Sequence, residues 1–328
     1  MAILTSLYGG LNVLYSNLFV TLPIPEEAPD LSEQTIIVTG SNTGLGYETS
    51  QHLLRLGVGK LIMGVRNLDK GEKARIELLK ATKRSLDTIE VWQVDSESYD
   101  SVKKFADRAN NLPRLDAVLA NAGILTNHFS LSQGNEKTVT VNVISVFLLG
   151  LLLLPKLRSA PSAGRFVVPN SALHYIAHTK EIVPTKNKTI FDRLNDPEQS
   201  DMANRYSLSK LLVLYVVREL AERTKLSVKG DVIFNTPNPS YCKSGLLNEP
   251  GNTAPLDFMA RTTEMGSRAI LNGVLAGPES NGHYLNNCHV SCPAAHVTNK
   301  TGSQIQKAFV DELLEKLEVI SPGISASL

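Results

Sequence analysis

The sequence predicts an α/β fold: a doubly wound parallel sheet of about seven strands with helices on both faces. Two observations predict it. Short β-branched runs alternate with helical segments along most of the chain, and those runs are apolar throughout, as in strands buried on both faces. A length of 328 residues, with 42% hydrophobic and 20% charged side chains, is ample for one large core. Residues 33–328 therefore read as a single domain with insertions, preceded by an apolar extension over 1–32.

Residues 1–25 carry no charged side chain. Thr5, Ser6, Asn12, Ser16 and Asn17 interrupt the apolar run and Gly9-Gly10 divides it, so neither a membrane span nor an export signal is predicted. The expectation is an amphipathic segment with Leu4, Leu7, Leu11, Leu14 and Leu18 on one face, either packed on the body of the protein or resting on a membrane surface. Next, "TIIVTG" (35–40) is a strand ending in glycine, "GYETSQHLLRLG" (46–57) a helix stopped by Gly57, and "KLIMGV" (60–65) a second strand. "SVKKFADRANN" (101–111) is helical, and "LDAVLANAG" (115–123) is the fourth strand. A long buried helix follows in "VTVNVISVFLLGLLLLPKL" (139–157), whose most apolar stretch, Val146 to Leu154, is too short to cross a bilayer. "GRFVVPNS" (164–171), "RYSLSKLLVLYVVRELAER" (205–223) and "VKGDVIFNTPNP" (228–239) continue as strand, helix and strand. "TGSQIQKAFVDELLEKLEVI" (301–320) is the closing helix.

Composition narrows the partner. A formal net charge of +1, without long runs of one sign, leaves no electrostatic footprint for nucleic acid or an anionic membrane, so a small molecule is expected. Cys242, Cys288 and Cys292 are an odd set without an export signal, which fits reduced thiols in the cytoplasm. His283, Cys288, His289, Cys292 and His296 offer soft ligands close together, but no second ligand pair stands at a metal-site spacing, and no metal is expected.

In a doubly wound sheet, ligands bind outside the carboxyl ends of the strands. There the sequence puts "TGSNTGLG", Thr39 to Gly46, whose Gly40, Gly44 and Gly46 would let backbone amides and a helix N-terminus approach a diphosphate. Its Gly-x-x-x-Gly-x-Gly spacing departs from the commonest dinucleotide fingerprint, and such a turn alone is equally an ordinary tight turn. Arg66 ends the second strand where these folds hold an acid for ribose or an arginine for a 2′-phosphate; it points to NADP(H), against the reading of a solvated arginine. Tyr206 and Lys210, one helical turn apart, put an ammonium beneath a phenol. Moving a tyrosine pKa from about 10 to about 7 needs about 4 kcal/mol, which one cation about 4 Å away at an effective dielectric near 20 can supply.

TGSNTGLG, Asn121-Ala122-Gly123 after the fourth strand, Asn142 in "VNVISVF", Ser171 in "NSALH", and the Y-x-x-x-K of Tyr206 and Lys210 together resemble the short-chain dehydrogenase/reductases over residues 33–290. "VRNLDKGEKA", "LLLLPKL" and "DMANRYSLSKLL" are similar to the retinol-dehydrogenase-like branch and to fungal members from secondary-metabolite pathways. The resemblance implies a Rossmann-type fold and an NADP-dependent oxidoreductase interconverting a ketone and a secondary alcohol. Tyr206 would be the general acid in reduction or base in oxidation, with Ser171 on the substrate oxygen. Lys210 would hold the nicotinamide ribose, and Asn142 a water extending the proton path. Cofactor contacts are implied for Gly40, Ser41, Asn42, Thr43, Gly44, Leu45, Gly46, Arg66, Asp95, Ser96, Asn121, Ala122, Gly123, Tyr206, Lys210, Pro237 and Asn238. Ser41 and Asn42, with Lys70, would reinforce Arg66 at a 2′-phosphate.

This sequence departs from the family in two places. Asn238 in "TPNPSYCKSGL" stands where a Pro-Gly turn follows the sixth strand, and Asn is expected to carry the turn because it tolerates positive φ. "VVPN" puts Pro169 and Asn170 before Ser171, where Ser or Thr is more usual. Residues 240–261, mixing Leu246, Leu247, Leu256, Phe258 and Met259 with Gly and Pro, are by resemblance the substrate loop; their composition suits a lid over a polyketide- or terpenoid-like ligand. His174, Tyr175 and His178 either line that pocket or are ordinary loop residues. The alternative function is an NADP-binding protein without net redox, an isomerase, a cyclisation-assisting enzyme or a cofactor sensor.

Overall fold

The structure, a computed structural model, describes residues 2–24, 29–227, 229–243, 245–247 and 259–328, with the backbone alone for 2–7 and 247. The strands of its main sheet are β1 (Thr35–Thr39), β2 (Lys60–Val65), β3 (Ile89–Gln93), β4 (Ala117–Leu119), β5 (Gly164–Val167), β6 (Val232–Asn238), β7 (His283–Asn286) and β8 (His289–Ser291). Side by side they run β8-β7-β6-β5-β4-β1-β2-β3. All pairings are parallel except that of β7 with β8. The parallel, doubly wound sheet is as expected, and β8 is the addition to it. It folds back through Asn287 and Cys288, which take the left-handed conformation that a two-residue hairpin turn demands (φ 49° and 65°).

The helices are α1 (Ala2–Phe19), α2 (Gly44–Arg55), α3 (Leu68–Thr82), α4 (Tyr99–Asn110), α5 (Lys137–Arg158), α6 (Met202–Lys225), α7 (Thr263–Leu275) and α8 (Lys300–Ile320). They cover both faces. Phe105 of α4, Phe147 of α5, Leu212 of α6 and Phe309 of α8 belong to one buried cluster, while Leu53 of α2, Leu78 of α3 and Ile270 of α7 belong to another across the sheet. Full burial of one such side chain contributes about 1.5–3 kcal/mol. Helix α5 extends by two residues at its start and one at its end the helix expected over 139–157, and is apolar enough to cross a membrane by length and composition. In its most apolar window 89% of residues are buried inside the fold, which makes it a core helix. Within it, Thr140–Ile144 widen into a π-turn, where Ser145 N–H donates to the Thr140 carbonyl.

The chain leaves β1 for β2 on one side, and β4 leads to β5 on the other, so the crevice opens where β1 and β4 lie together. Gly40 and Asn121 are the residues at that point.

Helix α1 docks on the body through its polar stripe and turns its leucine face outward, away from the first of the two placements expected for that face. Leu11, Leu14 and Leu18 are 57%, 38% and 46% exposed, with Tyr8, Tyr15 and Phe19 exposed beside them, whereas Gly9 and Ser16 are buried. The side chains of Leu4 and Leu7 lie outside the described residues. The physical reason is hydrogen bonding. Asn12 Oδ1 accepts from Asn286 Nδ2 (2.9 Å), and Ser16 Oγ accepts from Asn287 Nδ2 (2.9 Å), so the polar stripe of α1 meets polar groups at the β7–β8 turn. Gly9 adds close approach, since a Cβ there would stand 2.6 Å from that of Tyr175.

Candidate active site

One cavity of about 790 Å³ collects the ends of the strands. Its lining takes in Gly40 after β1, Arg66, Asn67 and Lys70 after β2, and Asp95 and Ser96 after β3. Asn121 to Gly123 after β4, Ser171 after β5, Pro239 to Cys242 after β6, and Tyr206 and Lys210 on α6 complete the arrangement.

The glycine loop leaves room for a ligand. Gly40 and Gly44 hold positive φ (63° and 60°), conformations that L side chains rarely adopt, and a Cβ on Gly44 would meet nothing within 4 Å. Gly46 answers a different need, because a Cβ there would come within 2.5 Å of the Gly40 carbonyl and of Asn121 Nδ2. Asn121 in turn donates to the carbonyls of Thr39 (3.0 Å) and Gly40 (3.3 Å), locking the loop against β4. Thr43 precedes α2 without a side-chain bond to its first turn, so the positive end of that helix dipole faces the cavity uncapped. Arg66 reaches solvent with 71% of its side chain exposed and only a loose contact to Glu97 (3.4 Å). These groups fit a dinucleotide: open space at an uncapped helix N-terminus for the diphosphate, and cations beyond the second strand.

Ser171, Tyr206 and Lys210, the expected catalytic residues, are all half-buried and all line the cavity. Ser171 is held by its neighbours: its N–H donates to Asn170 Oδ1 (2.8 Å), and its Oγ accepts from Leu173 N–H (3.2 Å). Lys210 donates from Nζ to the Pro169 carbonyl (2.8 Å), and Nζ lies 5.6 Å from the centre of the Tyr206 ring. Burial lowers the Lys210 ammonium to about 8. Burial, with a smaller contribution from Cys242, pushes the Tyr206 phenol up instead of down. Desolvation thus outweighs the lowering expected from Lys210, whose ammonium is bonded to the Pro169 carbonyl.

The chain was compared with known proteins. Residues 34–175 match the family model described as short chain dehydrogenase. The short chain dehydrogenase/reductase dmxR8 of Cryptosporiopsis sp. (strain 8999) is 39% identical over 327 residues, covering 96% of this chain and 99% of that one. The short chain dehydrogenase atnD of Emericella nidulans is 42% identical over 84% of this chain and 90% of its own. The chain belongs to the short-chain dehydrogenase/reductase family. Among solved structures, salutaridine reductase from Papaver somniferum superposes with a TM-score of 0.59 at 17% identity, over 77% of this chain and 99% of that one. A short chain dehydrogenase from Shigella flexneri 2a str. 301, complexed with NADP, gives 0.57 at 20% identity over 79% and 98%. At such identities these likenesses establish the Rossmann-like fold.

Against this short-chain dehydrogenase/reductase framework, most of the predicted site residues converge: Gly40, Asn42, Thr43, Gly44, Leu45, Arg66, Asp95, Ser96, Asn121, Ala122, Gly123, Ser171, Tyr206 and Lys210 all line the cavity. Ser41, Gly46, Asn142, Pro237 and Asn238 do not. Ser41, expected near a 2′-phosphate, is fully buried, and its hydroxyl has no hydrogen-bond partner among the described residues. Asn142 sits in the π-turn with its side chain on the Ile124 backbone (2.9 Å to N and 2.9 Å to O) and on Ser209 Oγ (3.1 Å), so it fixes the loop after β4. Asn238 does not supply the turn after the sixth strand: it is the last residue of β6, and the left-handed residue is Ser240 (φ 65°). Strand β6 takes in Pro237 and Asn238 and ends one residue before the 228–239 run expected, so Pro239 and Ser240 occupy the cavity where Pro237 and Asn238 were predicted.

The unusual residues before Ser171 have structural duties. Pro169 offers the carbonyl that takes the Lys210 ammonium, and Asn170 Nδ2 bonds Thr236 Oγ1 (2.9 Å) and the Lys210 carbonyl (3.3 Å). His174, Tyr175 and His178 are absent from the lining. His174 is buried, and burial lowers its pKa to about 4; as the neutral Nδ1–H tautomer it donates to the Ser171 carbonyl (2.8 Å) and accepts from Ala294 N–H at Nε2 (3.2 Å). Sequence reasoning missed Val13, Cys242 and the polar stripe of α1; Asn12, Ser16 and Asn17 in an uncharged helix were the available signal. Leu256 and Phe258 of the expected substrate loop lie outside the described residues. Among the described residues no group of three or more His, Cys, Asp or Glu could hold a metal ion, and the three thiols are free.

Proposed function

We propose that the protein is an NADP(H)-dependent oxidoreductase interconverting a ketone and a secondary alcohol on a lipophilic, polyketide- or terpenoid-like molecule. The observation that carries this reading is the meeting of Ser171, Tyr206 and Lys210 in the same cavity as the glycine loop and Arg66. Arg66 and Lys70 would meet the 2′-phosphate, and the amides at the start of α2 the diphosphate. Bound there, the nicotinamide supplies or accepts the hydride. In reduction, Ser171 Oγ donates a hydrogen bond to the carbonyl oxygen, and Tyr206 Oη gives that oxygen its proton. The Lys210 ammonium would stabilise the resulting phenolate, while Asn142, whose amide is bonded to Ile124 and Ser209, would act on the proton path only by fixing the loop after β4. Leu125, Leu173, Leu246 and Met259 in the lining support an apolar substrate.

Residues 33–328 act as one catalytic unit in a reducing, cytoplasmic compartment, with 1–32 as its extension. The outward face of α1, apolar at Leu11, Tyr15, Leu18 and Phe19 and without charge, supports a resting contact with a lipid surface.

The test is Tyr206→Phe. Turnover of lipophilic ketones, followed at the reduced-nicotinamide absorbance band, should fall by about a hundredfold or more while NADPH binding persists. Turnover within threefold of the parent rejects the assignment, and a parent that binds NADPH without redox on a wide ketone and alcohol panel turns the reading to the non-redox alternative.

A further inference from the structure

We propose that Asn17 of α1 is a positioning residue for substrate selection, clasping together two segments of the substrate-side wall of the cavity; this rests on the cavity being the substrate site. Asn17 Nδ2 spends both of its hydrogens on that wall, donating to the carbonyls of Tyr241 (2.8 Å) and Met259 (2.8 Å). Its Oδ1 accepts from Ser240 Oγ. Ser240, Tyr241 and Met259 all line the cavity, as does Val13, one helical turn before Asn17. The amide therefore joins segments far apart in sequence at the rim where α1 itself forms part of the lining.

Those segments are also tied to each other and to the end of α1. Lys243 N–H donates to the Arg261 carbonyl (3.0 Å) and Arg261 N–H to that of Tyr241 (2.9 Å). Arg261, 5% exposed, directs Nη2 to the carbonyls of Ser16 (2.6 Å) and Val20 (3.2 Å) and to Asn287 Oδ1 (3.1 Å), with Nη1 on Pro239 O (3.3 Å). A buried cation bonded to the last carbonyls of α1 stabilises the negative end of that helix and fixes its register on the wall. Nothing in the glycine loop, and neither Tyr206 nor Lys210, is a hydrogen-bond partner of Asn17. Loss of the clasp should loosen the substrate wall and leave cofactor binding and proton transfer in place.

The experiment compares Asn17→Ala and Asn17→Asp with the parent, all full length, and with Asn12→Ala, which weakens α1 docking at Asn286 without touching the wall. In the ligand-free protein, backbone hydrogen exchange should rise at least tenfold in peptides spanning 240–247 and 259–262 of both Asn17 variants. Asp should do most, because its carboxylate faces the two carbonyls it replaces as donor. With NADPH and 2-decalone as probes, KM for the ketone should rise at least tenfold, with kcat within threefold and the NADPH dissociation constant within twofold. Asn12→Ala should leave KM within twofold. Unchanged exchange in both segments overturns the proposal, as does an equal loss of NADPH affinity, or an equal rise in KM in Asn12→Ala. If the parent reduces no ketone, the oxidoreductase reading fails on that arm, and exchange still decides the clasp. Should Asn17→Ala not fold, Asn17→Ser, which keeps one donor, is read in the same assays.

Discussion

On the proposed reading, Arg66 would decide the choice between the two nicotinamide cofactors. A 2′-phosphate would bring up to two negative charges to the end of β2, and Arg66 stands in the cavity with most of its side chain free of protein contact. Each charge-assisted hydrogen bond contributes about 1.5–3 kcal/mol, so one good contact should favour NADPH over NADH by about ten- to a hundredfold. Glu97, 3.4 Å away, opposes this, and the arginine must turn from it toward the phosphate. Arg66→Asp should abolish or reverse the preference in paired titrations with NADPH and NADH; an unchanged ratio would make Arg66 a surface residue only. Residue identity was legible where spacing carried it: Tyr206 and Lys210 by one helical turn, Gly40, Gly44 and Gly46 by the loop. It was misread at Asn238, because "TPNPS" holds two prolines and nothing in the residues tells which of them ends the strand. The depressed Lys210 pKa was illegible, since it comes from burial among residues distant in sequence.

The start of α6 carries a buried charge that the pattern of apolar residues does not announce, and that charge approaches the start of α5. Arg205, next to Tyr206, is wholly buried; its Nη2 donates to Glu181 Oε2 (2.7 Å), Ser200 Oγ (2.9 Å) and the Leu194 carbonyl (3.3 Å). Its Nε lies 3.5 Å from Glu136, which is equally buried and caps the start of α5 by accepting from Thr138 and Val139 N–H. Removing the arginine would strand two carboxylates, so Arg205→Ala should cost about 3–5 kcal/mol in urea denaturation. A loss under 1 kcal/mol would mean that the buried carboxylates find other partners. Replacing Arg205 and both glutamates together by apolar residues should recover much of that loss, because it is the uncompensated charge that is costly. Both helices were legible as elements, being long and apolar. The π-turn that carries Asn142 was not, since "TVNVI" has no residue that demands an extra turn; the widening goes with bonds from Asn142 to Ile124 and Ser209 on other elements.

At the scale of the whole molecule, α1 is sided by competition between two kinds of burial. Its leucine face would have gained apolar contacts by packing inward, but Asn12, Ser16 and Asn17 would then have faced outward while Asn286, Asn287 and Arg261 lost partners beneath it. Buried polar groups left unsatisfied cost about 1–3 kcal/mol each, enough in combination to turn the helix over. The periodicity of the leucines was therefore legible, whereas the polar partners that turn them outward, Asn286, Asn287 and Arg261, lie far off in sequence. An exposed row of Leu11, Leu14, Tyr15, Leu18 and Phe19 on an uncharged helix, beside the cavity lined by Val13 of the same helix, places an apolar surface where a lipophilic substrate could pass from a bilayer. The protein should co-sediment with phosphatidylcholine vesicles, and the double substitution Leu11→Glu with Leu18→Glu should abolish this. Melting temperature should stay near that of the parent, since both side chains are exposed, and NADPH affinity should not change. Adding salt should leave the parent's binding intact, because the helix has no charge to screen. Failure of the parent to sediment with vesicles, or equal sedimentation of the double variant, would show that this face meets no membrane.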